Sequence, residues 1–125
     1  MTPFAIAGIQ MRISASQENV SAMAHRLDIL MARFPWVQMV VFSELAAFGP
    51  LPGHAQTLPG PAEDAFREMA AKHQIWLLPG SMFEAAGDLI YNTASVIDPT
   101  GHVVGRYRKM FPFQPYENHV EPGSE

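Results

Sequence analysis

Cysteine is absent from these 125 residues. That excludes a disulfide framework and any cysteine-based zinc site. Charge is scarce, at 16% of residues, which implies that much of the surface is covered, by a partner chain or by the rest of a larger domain. Basic residues number eight against twelve acidic ones, for a net charge of −4. Three of the eight crowd into Arg106, Arg108 and Lys109, so there is no basic footprint for nucleic acid or for an anionic membrane. No apolar run approaches the roughly 20 residues that a membrane span needs. The opening Met1-Thr2-Pro3-Phe4-Ala5-Ile6-Ala7-Gly8 has neither a positive n-region nor a long apolar stretch, so no signal peptide is expected. These absences point to a soluble cytoplasmic protein with no nucleic-acid and no membrane partner.

Two further patterns are missing. The glycines form no Gly-x-Gly-x-x-Gly and no phosphate cradle. The five histidines, His25, His54, His73, His102 and His119, show no i, i+4 pairing and no ligand spacing, so no metal site is expected.

What is present is a chain of one domain at most, 48% hydrophobic and therefore too apolar for disorder. Residues 4–10 read as a short buried strand. Ser14 and Ser16 follow as candidate N-caps, and Ser14 with Gln17 fits a capping box. Val20, Met23, Leu27, Leu30, Met31 and Phe34 then recur at helical spacing, predicting a helix of about 18 residues that Pro35 ends. The nearly continuous apolar run over residues 36–42 predicts a strand covered on both faces.

Residues 46–62 carry seven Gly and Pro and read as an irregular connection, long enough to have a functional use. Within it Phe48 and residues 49–54 are open to two readings, pocket lining or plain connection. A second helix starts at Pro61, with Glu63 and Asp64 near its positive end and Phe66, Met69 and Ala70 on its stripe, and ends near His73. Strands are expected over 75–83, 89–97 and 102–108, separated by turns at 85–88 and 98–101. The tail from Met110 reads as loop. The order β-α-β-α-β-β-β gives a mixed α/β class with helices on one face of a sheet, open edges and one poorly covered sheet face.

Two strand ends carry chemistry. Val40-Val41-Phe42-Ser43-Glu44-Leu45 ends on a carboxylate, and Gly105-Arg106-Tyr107-Arg108-Lys109 ends on an amine. Hydrolysing an unactivated C–N bond needs a nucleophile, a base to activate it, and a cation or dipole for the developing oxyanion. A Glu at a strand end inside an apolar wall suits the base, because desolvation raises its pKa. A Lys at a neighbouring strand end supplies the positive charge. A lone Glu after an apolar strand is more often a cap or a solvated end; the paired context shifts that balance. Arg106 and Arg108 alternate along one strand and share a face, which reads as ion pairing or exposure rather than an anion site.

That context resembles the nitrilase, or carbon-nitrogen hydrolase, superfamily. Its members have an N-terminal strand like Phe4 to Gln10, then a helix, then a Phe-Pro-Glu-Leu-like strand end, here Phe42-Ser43-Glu44-Leu45. A Tyr-Asn-Thr/Ser-Ala strand follows, here Tyr91-Asn92-Thr93-Ala94, and then a Gly-x-x-x-Gly-x-Tyr-Arg-Lys strand, here Gly101 to Lys109. The segments occur in this order and cover essentially the whole chain. The resemblance implies an α-β-β-α sandwich of which residues 1–125 are the N-terminal portion of a single domain, with helix layers that pair into a homo-oligomer, a dimer or higher, in the full-length form. It implies a Glu-Lys-Cys triad acting on a small amide, carbamoyl or, less readily, nitrile substrate through a thioester acyl-enzyme, with no cofactor and no metal. Glu44 would be the general base and Lys109 the oxyanion stabiliser.

There are departures. Ser43 stands where the family usually has Pro. The nucleophilic Cys of the family lies about thirty residues after the Lys, at a helix start that lowers its pKa. This chain stops sixteen residues past Lys109, so that position is never reached and the chain alone is expected to be inactive. Glu117 lies eight residues after Lys109, about where many members, the aliphatic-amidase-like branch among them, keep a second functional Glu. A solvated loop Glu is the other reading of it. The Lys109 to Glu117 run is closer to the amidase branches than to true nitrilases. A non-catalytic binding or assembly module that associates with a full-length homologue is the alternative function.

Overall fold

The computed structural model describes residues 1–124. Six strands form one sheet. β1 (Ile6–Ile9), β2 (Met39–Phe42) and β3 (Trp76–Leu78) run parallel, and α1 (Val20–Arg33) and α2 (Pro61–His73) make the crossovers between them. β4 (Met82–Ala86), β5 (Leu89–Ile97) and β6 (Val103–Arg108) continue antiparallel. β5, nine residues long, is the shared strand. It pairs β6 along one edge, while β4 and then β3 meet the other.

The helices bury one face of this sheet. Met23 and Leu27 of α1, and Phe66, Met69 and Ala70 of α2, pack with Val40, Leu77 and Ile97 in one core. Pro61 opens α2 in the position where a missing N–H is harmless, and Glu63 and Asp64 follow in its first turn. Gln74 ends it in a left-handed conformation, its N–H reaching the carbonyls of Ala70 and Ala71. Among the described residues the opposite sheet face carries no helix. There Ile6 and Tyr107 stay 62% and 49% exposed.

Two sequence expectations need correction. α1 begins at Val20, and the capping box at Ser14 and Gln17 does not cap it. Ser14 Oγ does accept the Gln17 N–H at 3.2 Å, but as a turn upstream of the helix. Asn19, buried, is what fixes the entry: its Oδ1 accepts from Ser14 N, its Nδ2 donates to Ser14 O, and its own N–H donates to Ala47 O at 2.7 Å. The strand expected over 75–83 is also two strands, so the described residues form six rather than five. Pro79 lacks an N–H, and Gly80 has φ +78°. A Cβ at Gly80 would lie 1.8 Å from Ser43 O. The kink therefore exists to let the turn after β2 pass against it.

Candidate functional site

Glu44 sits two residues beyond β2, and that turn is locked in place. Leu45 adopts φ +56°, and its N–H donates to Ser81 Oγ at 3.0 Å, so the Glu44 turn is fastened to the β3–β4 kink. Lys109 follows the last residue of β6, and its N–H donates to Asn92 O on β5 at 2.8 Å. β2 runs parallel to β3, β3 antiparallel to β5 and β5 antiparallel to β6, so β2 and β6 run in the same direction and their two strand ends lie at the same end of the sheet.

The side chains meet there. Lys109 Nζ donates to Glu44 Oε1 at 2.9 Å and to Glu117 Oε2 at 2.7 Å. Asn92 Nδ2 donates to Glu44 Oε1 at 2.8 Å and to Glu117 Oε1 at 3.0 Å. The Phe113 N–H completes the shell of Glu117 Oε2 at 2.6 Å. One ammonium thus stands between two carboxylates, with a carboxamide bridging the same pair. All three residues picked from the sequence, Glu44, Lys109 and Glu117, converge in this cluster. Asn92 was read only as part of a strand motif, although it is buried and touches both carboxylates.

The electrostatics follow from these contacts. Glu117 first and Glu44 second raise the Lys109 pKa above its ordinary value, so the ammonium stays charged through the neutral range. Burial pushes the Glu117 carboxyl up, but the hydrogen bonds from Lys109, the Phe113 N–H and Asn92 outweigh it and hold the group below the usual carboxylate value. The apolar wall expected around Glu44 is not built by residues 1–124, since its side chain is 57% exposed. Glu117 is 11% exposed, so the solvated-loop reading of it does not hold.

Two cavities flank the cluster. One of about 310 Å³ is bounded by Val41, Leu78, Ala94 and Tyr107, with Glu44, Asn92 and Lys109 as its polar side. The other, about 210 Å³, lies between Leu45, Pro50, Phe113, Tyr116 and Glu117. Pro50 gives the irregular loop after β2 a place in the site. Phe113 and Tyr116 are stacked with ring centroids 5.5 Å apart. Together these groups make a basin with an apolar floor, one fixed cation and two carboxylates, suited to a small neutral polar molecule.

Arg106 and Arg108 belong to the helix-covered face. Arg106 is clamped by the buried Glu63 of α2, which also accepts from Ser95 Oγ at 2.7 Å. Arg108 pairs with Glu84 at 2.7 Å, and Thr93 Oγ1 donates to the same carboxylate. The Arg106 guanidinium, ahead of the Ser95 hydroxyl, holds Glu63 below its usual pKa, and Arg108, ahead of Thr93, does the same for Glu84. Both arginines are spoken for as ion-pair partners. Among the described residues no group of three His, Asp or Glu side chains converges as a metal site, and no helix is long and apolar enough to cross a membrane.

Comparison with known proteins gives a consistent result. The family model described as carbon-nitrogen hydrolase matches residues 5–124. The chain is 30% identical over 118 residues to the omega-amidase of Homo sapiens, covering 90% of this chain and 42% of that protein. It is 31% identical over 93 residues to a formamidase of Bacillus thuringiensis, covering 69% of this chain and 28% of that protein. Among solved structures, a mutant amidase from a Nesterenkonia species in complex with butyramide superposes with a TM-score of 0.83 at 21% identity, over 98% of this chain and 49% of that one. The chain spans less than half the length of these curated relatives. At that identity the structural likeness speaks for the fold, an α/β sandwich of the nitrilase type of which this chain matches about half.

Proposed function

Because the chain belongs to the carbon-nitrogen hydrolase family, we propose that it supplies the Glu-Lys portion of a Glu-Lys-Cys site that hydrolyses a small neutral amide or carbamoyl compound. The single observation that carries this reading is the ammonium of Lys109 held between Glu44 and Glu117 at 2.9 and 2.7 Å. Glu44 takes the proton of a thiol, whose sulfur forms a bond to the substrate carbonyl carbon. The oxyanion of that adduct is stabilised by the Lys109 ammonium. As the C–N bond breaks, Glu44 returns the proton to the leaving amine and a thioester remains. Water then attacks the thioester, Glu44 accepts a proton from that water, and the thiolate leaves and is reprotonated. Glu117 keeps Lys109 charged and fixed, and the net negative charge of the cluster disfavours an anionic group beside it.

The thiol has to come from residues other than these 125, which include no cysteine. We read residues 1–125 as the N-terminal portion of a single hydrolase domain, in a cytoplasmic homo-oligomer. The test is ammonia release from butyramide and formamide by the protein isolated at its native length, beside the 125-residue chain. Turnover is expected from a native form that carries a cysteine, with a loss of about 10²-fold or more in Glu44→Gln. No turnover is expected from the 125-residue chain. Steady turnover by that chain, abolished by Glu44→Gln, would overturn the assignment of a thiol nucleophile.

One observation favours a second reading, a non-catalytic module that associates with a full-length homologue. The helix-free sheet face leaves Ile6 and Tyr107 exposed and keeps the 310 Å³ cavity open. A native mass equal to the 13.8 kDa of this chain, with butyramide binding but no hydrolysis, would decide for it.

A further inference from the structure

The cluster contains one group that the proposed reaction does not yet use. Asn92 lies on β5, 2% exposed, between the strand ends that carry Glu44 and Lys109. Its carbonyl accepts the Lys109 N–H at 2.8 Å, so it sets the main chain of the cation. Its carboxamide nitrogen faces both carboxylates, at 2.8 and 3.0 Å. Only the NH₂ end can face them, because a carbonyl oxygen there would oppose two anionic acceptors. A primary amide has two N–H groups, and here each has a carboxylate to serve.

The consequence is asymmetry in Glu44. Its Oε1 accepts from both Lys109 and Asn92, whereas Oε2 has no protein donor among the described residues. Glu117 is arranged otherwise. Its Oε1 accepts from Asn92, and its Oε2 accepts from Lys109 and the Phe113 N–H. Both Glu117 oxygens are occupied, so Glu117 is poorly placed to take up a proton, and Glu44 has one oxygen left to do so. We infer that Asn92 is a positioning residue that occupies Oε1 of Glu44 and so leaves Oε2 as the proton-accepting atom of the site. This rests on the hydrolase reading for its use in catalysis, but the clamp itself is a property of these residues.

The test is a titration of the ¹³C-labelled 125-residue chain, reading the Glu44 and Glu117 carboxyl carbons by NMR in the parent and in Asn92→Leu. The substitution keeps the size of the side chain, removes both N–H donors and adds no charge. Losing hydrogen bonds that favour the charged form is expected to move both carboxyl midpoints upward from those of the parent. Unmoved midpoints in a variant that retains its amide spectrum overturn the role. If Asn92→Leu loses its folded spectrum, the parent carries the test alone. Its Asn92 side-chain N–H resonances must shift with the midpoints of both carboxyls, and resonances indifferent to either overturn the clamp. Turnover enters none of these readings. Failure of native-length protein to hydrolyse butyramide, with the Asn92 coupling intact, sinks only the hydrolase reading. Hydrolysis with unmoved titrations sinks only the role of Asn92.

Discussion

Gly80 shows how a residue far from the chemistry decides where the chemistry sits. Its left-handed backbone, and the Ser43 carbonyl oxygen that would stand 1.8 Å from any Cβ placed on it, admit no side chain. Gly80→Ala is expected to destabilise the fold by about 3 kcal/mol or more, read as a drop in the urea midpoint. Lys109→Met makes the complementary case. With the ammonium gone, two carboxylates share one carboxamide, and the Glu117 midpoint is expected to rise from its lowered position, measured by carboxyl NMR. Glu44 and Lys109 were legible in the sequence because each follows a short distinctive strand segment, and Glu117 because it lies eight residues after Lys109. Asn92 was not. An Asn inside a strand carries no local signal, and its partner Glu44 lies 48 positions away. Gly80 was equally hidden, since the reason for it is a carbonyl brought close only by the fold.

The elements repeat this pattern. Periodicity found both helices, because each buries one stripe on a sheet. It missed the true start of α1, because Asn19 is held there by Ala47 O across 28 residues of sequence as well as by the main chain of Ser14, and not by a serine side chain. Leu27 is fully buried, so Leu27→Ala is expected to cost about 2 to 5 kcal/mol in denaturant unfolding. The link between α2 and the sheet is ionic as well as apolar. Glu63→Gln would leave the Arg106 guanidinium unpaired; because Arg106 is 37% exposed, water compensates in part, and a loss of about 2 kcal/mol is expected.

For the whole molecule these carboxylates set the response to acid. Glu63 and Glu84 have folded pKa values below those of the unfolded chain. They therefore contribute stability that is fully present above the ordinary Glu value of about 4.3 and is lost as pH falls through their lower folded values. The unfolding midpoint is expected to be flat through neutrality and to decline below about pH 4.3, with a smaller decline in Glu63→Gln. Fold class and the one-sided helix layer were readable from the order of elements. The loop after β2 was open to two readings, and the position of Pro50 at the 210 Å³ cavity favours pocket lining.

β5 joins two halves that have different contents. The parallel strands on one side bring Glu44, while the antiparallel strands on the other bring Lys109 and, through the tail, Glu117. The ion cluster is thus assembled only when both halves are in register, which makes Lys109 a built-in gauge of cooperativity. An amine-labelling reagent would find this lysine slow while the halves are joined. It would find it as fast as Lys72, which is 63% exposed, once they part. The ratio of the two labelling rates along a denaturant series would report whether the sheet opens as one unit or along the seam at β5.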